Sequence, residues 1–148
     1  NTILLCGNGG SASDSIHISS ELVGKFEKNR KAIPSISLSS NISNLTAIAN
    51  DFGFEHIFSR QIEAIGKKGD LLIAISTSGN SQNVLLAAKT ARAKNMLVIG
   101  LTGATGGKLT GLCDIAITVP SDNVAQIQEM HLPIYHHICA SVEAHFFA

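Results

Sequence analysis

Hydrophobic residues along this chain gather into five short runs. They are Thr2–Cys6, Ile36–Leu38, Leu71–Ile75, Leu97–Leu101 and Ile115–Val119. Runs this short with little internal alternation predict strands buried on both faces. Between them, apolar residues recur at helical spacing over about Ser13–Phe26, Ile42–Ala49, Glu55–Ile65 and Ser81–Lys94. A last helical stretch, about Val124–Phe147, follows the fifth run. Strands alternating with helices predict βαβ units, a parallel sheet and right-handed crossovers that put helices on both faces. No internal repeat, low-complexity tract or linker interrupts the rhythm. The expectation is one doubly wound α/β domain.

Composition narrows what such a domain can do. The 148 residues suffice for a real core. Hydrophobic content is 45% and charged content 15%, so much of the surface is expected to be covered by other copies of the chain. Lys and Arg number 11, as do Asp and Glu. That balance gives no overall field for nucleic acid or an anionic membrane. The most basic stretch, "KFEKNRK" at Lys25–Lys31, contains an acid and reads as a solvated loop. Cys6, Cys113 and Cys139 are too few, odd in number and too widely spaced for a disulfide framework or a zinc ribbon. Free thiols fit a reducing cytoplasm. No run approaches a membrane span and no signal peptide is visible. The chain opens at Asn1 directly on an apolar run, which points to a preceding segment outside this sequence.

Two polar loops at strand ends carry candidate chemistry. The third run stops abruptly at "STSGNS", Ser76–Ser81, and a helix opens there. Ligands of doubly wound folds bind beyond the carboxyl ends of the strands, and helix starts offer free N–H groups to anions. Hydroxyls of Ser76, Thr77, Ser78 and Ser81 can donate to phosphate oxygens, and Gly79 lets backbone approach closely. An ordinary polar turn capped by Asn80 or Ser81 is the plainer alternative. The first run leads into "GNGGSA", a loose G-x-G-x-x-A match. No acid closes a convincing second strand and no P-loop lysine follows, so no nucleotide cofactor is expected. Two small-residue loops side by side suit a compact phosphorylated ligand with a polyhydroxylated end, toward which Asn8 can donate and accept.

The helix leaving the glycine loop carries Asp14, His17, Glu21 and Lys25 on one stripe. His17 and Glu21, four apart, are neighbours on its face. They could serve proton transfer or hold a divalent metal. A solvated face with Glu21 paired to Lys25 is the alternative. The last helix holds His131, His136, His137 and His145. It is apolar around most of its circumference, so burial between subunits is expected, with a kink at Pro133. Most of its histidines read as structural.

Four ordered stretches carry a resemblance: "CGNGGSASDSIHISSEL", "NDFGFEHIFSRQ", "GDLLIAISTSGNSQNV" and "IQEMHLPIYHH". Together they resemble the phosphoheptose isomerases of the sugar-isomerase (SIS) domain family, across essentially the whole chain. The resemblance implies a flavodoxin-like, five-stranded parallel sheet flanked by helices, residues 1–148 forming one SIS domain, and a helical segment ahead of the first strand. It implies a homotetramer with sites at subunit interfaces. The implied reaction converts sedoheptulose 7-phosphate to glycero-manno-heptose 7-phosphate, the first step toward nucleotide-activated heptoses for lipopolysaccharide core or capsule. Carried over by motif, Ser76, Thr77, Ser78 and Ser81 would hold the phosphate. Asn8, Gly9, Gly10, Ser11, Asn50 and Asp51 would line the sugar. Glu21, Gln128 and His136 would stand at the reacting end, with Glu21 as base and His136 as its acid/base partner. His17, Glu21, Gln128 and His136 would bind one zinc per subunit. Gln128 and His136 are eight residues apart, about 12 Å along a straight helix, which strains a shared metal.

Two positions depart from that pattern. Lys25 stands where Arg is common and cannot supply a bidentate fork. Ala125 stands where some relatives have Asp. A SIS-fold adaptor that binds the replication initiator protein would be a non-catalytic alternative. It has no need of Glu21 together with His136. An isomerase of a pentose or hexose phosphate is a second alternative, because sugar length is not written in these residues.

Overall fold

The structure is a computed structural model that describes residues 1–147. Along the chain run β1 (Ile3–Cys6), α1 (Gly10–Val23), β2 (Ser35–Ser37) and α2 (Ile42–Phe52). After them come α3 (Ser59–Ile65), β3 (Leu71–Ser76), α4 (Gln82–Ala93), β4 (Leu97–Thr102), β5 (Ile115–Thr118) and α5 (Val124–Phe146). One-turn 3₁₀ helices lie at Phe54–His56 and Thr110–Leu112. The five strands form one sheet in the order β2-β1-β3-β4-β5, and every pairing is parallel. The expected five-stranded, flavodoxin-like α/β fold is observed.

The period of two along the strands builds two cores. Leu4, Cys6, Leu72 and Ala74 face one side, where they meet Phe58 and Ile62 of the α3 region and Val84, Ala87 and Ala88 of α4. Leu5, Ile73 and Ile75 face the other, against Ile18 and Leu22 of α1 and Tyr135 and Cys139 of α5. Successive strand residues point to opposite faces, so one apolar run serves both layers. The chain leaves β1 toward β2 on one side and reaches β3 and β4 on the other. A crevice therefore opens beyond the carboxyl ends of β1 and β3, where α1 and α4 begin.

Several expectations are corrected. The outer strands are not buried on both faces: Ile115 of β5 is 57% exposed and Ile36 of β2 is 44% exposed. Both strands are sheet edges, covered on fewer sides than β1 and β3. The stretch Glu55–Ile65 is broken: a 3₁₀ turn comes first, and α3 starts only at Ser59. Helix α1 ends at Val23, with Gly24 donating back to the Ser20 carbonyl, so Lys25 leaves the stripe of Asp14, His17 and Glu21. The loop Lys25–Lys31 is not merely solvated. The Arg30 and Glu143 side chains pair at 2.9 Å, each 2% exposed, and tie the loop to α5.

Candidate active site

Gly9 turns the chain from β1 into α1 with φ 55°, a left-handed conformation that glycine adopts without strain. A Cβ there would touch nothing, so this turn faces open space. The amides of Ala12 and Ser13 bond back to the carbonyls of Asn8 and Gly9. Across the crevice, β3 ends on Ser76, which is buried and donates to the Ser81 Oγ at 3.1 Å. Residues Asn8–Ser11 of the first loop and Ser76, Thr77 and Ser81 of the second line one pocket of about 260 Å³. Gln128 of α5 closes it, its amide occupying the space a Cβ on Gly10 would need. Hydroxyls, two helix starts and an amide therefore converge on one anion-sized hollow.

Not every expected residue joins it. Ser78 is exposed, and its hydroxyl accepts from the Asn80 amide at 3.1 Å. It borders a separate hollow shared with Thr105 and Asp122. Gly79 takes φ 64° not for a ligand but for the chain itself: a Cβ there would collide with the Gly106 carbonyl. Asn50 and Asp51 are exposed on α2, with the Asn50 amide donating to Asp51 at 2.8 Å, and neither lines the pocket. Asn8 does line it, yet its amide makes two reciprocal 2.8 Å hydrogen bonds with Asn83. Asn83 is buried at the start of α4 and also accepts from the Val84 amide. It fastens the glycine loop to the helix that carries the serine loop.

A second cluster lies farther along α1. His17 Nε2 stands 3.0 Å from Glu21 Oε1, the i,i+4 neighbour. His136 packs edge-on against His17 with ring centroids 5.1 Å apart. One ligand atom from each of His17, Glu21 and His136 falls within 4.8 Å of the others. His136 Nε2 is buried without a hydrogen-bond partner. A buried bare nitrogen beside a second imidazole and a carboxylate fits a divalent cation. This trio forms without Gln128, which lines the loop pocket instead.

Comparison with known proteins decides the family. The sequence signature of the SIS domain matches residues 1–103. The chain belongs to the SIS-domain family. It is 53% identical over 141 residues to the phosphoheptose isomerase of Rhodospirillum rubrum, covering 95% of this chain and 75% of that protein. The phosphoheptose isomerase of Helicobacter pylori is 53% identical over 144 residues, covering 97% of this chain and 75% of that protein. The solved phosphoheptose isomerase of Neisseria gonorrhoeae matches with a TM-score of 0.92 and 43% identity, over 97% of this chain and 77% of that one. Within the SIS family, the chain falls among the phosphoheptose isomerases.

Burial sets the electrostatics of this SIS site. Tyr135 contacts His17 Nδ1 at 3.0 Å, and burial together with the charge of Asp14 pushes its phenol up to about 12. Burial raises Asp14 as well, outweighing the opposing pull of His131 and the Tyr135 hydrogen bond. His131 is fully buried, bonded through Nε2 to the Thr102 carbonyl, and burial lowers its pKa. Burial pushes the Cys6 thiol up to about 12 and Cys139 to about 11, so neither is poised as a thiolate nucleophile. Asn83, Tyr135, Arg30 and Glu143 were not singled out by sequence reasoning. Tyr135 had one signal, its place beside His136. The partners of the others are 75 or more positions away or packed across elements, and no local pattern reports them.

Proposed function

We propose that this SIS-domain isomerase converts sedoheptulose 7-phosphate to D-glycero-D-manno-heptose 7-phosphate through an enediol or enediolate. The observation that carries the reading is the adjacency on α1 of an anion-sized hydroxyl pocket and the His17–Glu21–His136 cluster. The named relatives supply the substrate class. Ser76, Thr77 and Ser81, with the N–H groups of the helix starts, hold the phosphate. Ser11 and Gln128 bond sugar hydroxyls, and Gly9 leaves room for the chain of carbons.

Moving a carbonyl from C2 to C1 takes one proton from C1 and delivers one to C2. Glu21 accepts the C1 proton. His136 gives a proton to O2 and takes one from O1. Return of the carbon proton to C2 completes the aldose, with no net gain or loss of atoms. Such groups typically contribute 10²–10⁴-fold each. The residues fit the zinc implied by the family, held by His17, Glu21 and His136. When bound there, zinc would polarise the substrate carbonyl. Gln128 sits with the sugar pocket, and Asn50 and Asp51 lie outside its lining.

The reading includes a homotetramer in the cytoplasm, serving nucleotide-heptose synthesis. Among the described residues, no helix is long and apolar enough to cross a membrane. The experiment is a panel of five- to seven-carbon ketose phosphates, with aldose product resolved by chromatography. Turnover of the seven-carbon substrate above the others is expected. Preference for a shorter sugar would overturn the substrate. No isomerisation of any sugar would favour the adaptor.

A further inference from the structure

The Asp14–Tyr135 pair has no part in the steps above, yet it ends on His17. Tyr135 is 1% exposed and its ring packs edge-on against both His17 and His136, with centroids 5.4 Å and 5.1 Å away. Its hydroxyl lies 3.4 Å from Asp14 Oδ1 and 3.0 Å from His17 Nδ1. A phenol has one proton to give, and a carboxylate can only accept. If the proton goes to Asp14, the Tyr135 oxygen is left as an acceptor. His17 must then carry its own proton on Nδ1 and keep Nε2 bare.

That tautomer has a consequence. A bare Nε2 at 3.0 Å from Glu21 Oε1 sets two lone pairs against each other. His136 Nε2 is buried without a partner, and one ring nitrogen of His136 lies within 4.8 Å of the ligand atoms of His17 and Glu21. The three acceptors are compatible when a cation stands among them. Asp14 Oδ2 is itself buried and without a partner. A carboxylate with half its capacity unmet is costly as a mere anchor for a tyrosine. It makes sense as the group that draws the phenol proton away from His17. Histidine ligands of metals are commonly held in this way by a group on the other ring nitrogen.

We infer that Tyr135 and Asp14 are positioning residues: Asp14 accepts a hydrogen bond from the Tyr135 hydroxyl, the Tyr135 oxygen accepts one from His17 Nδ1, and His17 Nε2 is thereby kept as a ligand for zinc. The inference rests on the zinc site of the preceding reading but not on its sugar. The test uses zinc alone, titrated into metal-free protein against a chromophoric chelator. Tyr135→Phe keeps the ring packing and removes the oxygen. It should weaken zinc binding about 10–100-fold, the usual cost of losing such a partner. Asp14→Ala should do the same, because the phenol proton is then free to turn to Nδ1 and push the histidine proton to Nε2. In Tyr135→Phe, adding Asp14→Ala should cost little more, since the two act in series.

Nitrogen NMR of the zinc-loaded protein should find the His17 proton on Nδ1, hydrogen-bonded to the Tyr135 oxygen, and that hydrogen bond should be lost in Tyr135→Phe. Wild-type zinc affinity in both folded variants would overturn the inference, as would additive losses in the double variant, a proton on Nε2 in the wild type, or no zinc binding at all. None of these readouts involves a sugar, so failure of the substrate assignment is seen separately.

Discussion

Arg30 Nε stands 2.9 Å from Glu143 Oε1, joining the loop after α1 to the last turns of α5. The pair does more than neutralise charge. Glu143 accepts the backbone amides of Phe26, Glu27 and Lys28 at 2.8–2.9 Å. Arg30 donates to the carbonyls of Glu21 and Leu22, which lie in the last turn of α1 and lack helical partners. Phe26, held by this clasp, packs on His136 with ring centroids 5.3 Å apart.

The clasp predicts an acid-sensitive term in stability. Burial by itself would raise the Glu143 carboxyl, but the three amides and Arg30 more than offset it and hold the group down at about 2. In the unfolded chain it returns to the ordinary value of 4.5. Between those values the unfolded state binds more protons, so stability rises with pH there. The contribution is complete above the ordinary value and is lost as pH falls toward about 2. Melting temperatures across this range should fall steeply for the wild type. Glu143→Gln should melt lower at neutral pH and show a shallower acid limb. Parallel limbs would place the acid sensitivity elsewhere.

The two serine environments predict a split within one loop. Ser76→Ala and Thr77→Val each remove a hydroxyl from the pocket, and a hydrogen bond to a charged group is worth about 1.5–3 kcal/mol. KM for the phosphorylated substrate should rise about 10–100-fold, with kcat less affected. Ser78→Ala, outside that pocket, should change KM far less. Equal effects at all three positions would mean the loop rearranges to bring Ser78 inward.

Glu21→Gln keeps side-chain shape, His136→Gln puts a neutral amide in place of the imidazole, and each removes a proton-transfer group. Each should lower kcat roughly 10²-fold or more. Zinc content measured alongside separates the roles: activity lost with zinc retained marks proton transfer, and activity lost with zinc marks ligation. Near wild-type turnover in both variants would falsify the catalytic assignment.

Asn83→Ala removes both partners of the Asn8 amide and exposes the Val84 amide to a dry surrounding. A buried polar group left unpaired costs about 1–3 kcal/mol. The variant should lose stability by that order in urea unfolding. KM should rise too, because the glycine loop is no longer fastened to α4. A loss of stability with unchanged KM would limit Asn83 to folding.

Apolar side chains left on the surface of the single chain predict assembly. Val124, Leu132 and Phe146 of α5 are 56%, 43% and 69% exposed. Ile16 and Val23 of α1 join Ile36 of β2 along a largely apolar groove. Patches of this kind mark protein contacts. Light scattering at micromolar concentration should report a tetramer. A monodisperse monomer would refute it.

The repeating structure was written locally. Five apolar runs separated by helical spacing determine a parallel α/β sheet, because burial on both faces leaves no polar side to alternate. His17 and Glu21 meet for the same reason: a helix puts residues four apart on one face wherever it is folded. The small residues of "GNGGSA" and "STSGNS" likewise declare tight turns at strand ends. What followed from tertiary structure alone was every relation between distant segments. Helix α5 brings His136 and Tyr135 to α1, buries Glu143 under the loop at Phe26–Arg30, and sends Gln128 to Gly10 while Ser78 faces away. Which edge strands lie exposed depends on sheet order, which no single run encodes. The physical reason is that helix and turn preferences act over a few residues. The tautomer of a histidine, the pairing of an arginine and the lining of a pocket are decided instead by atoms packed across a hundred positions of chain.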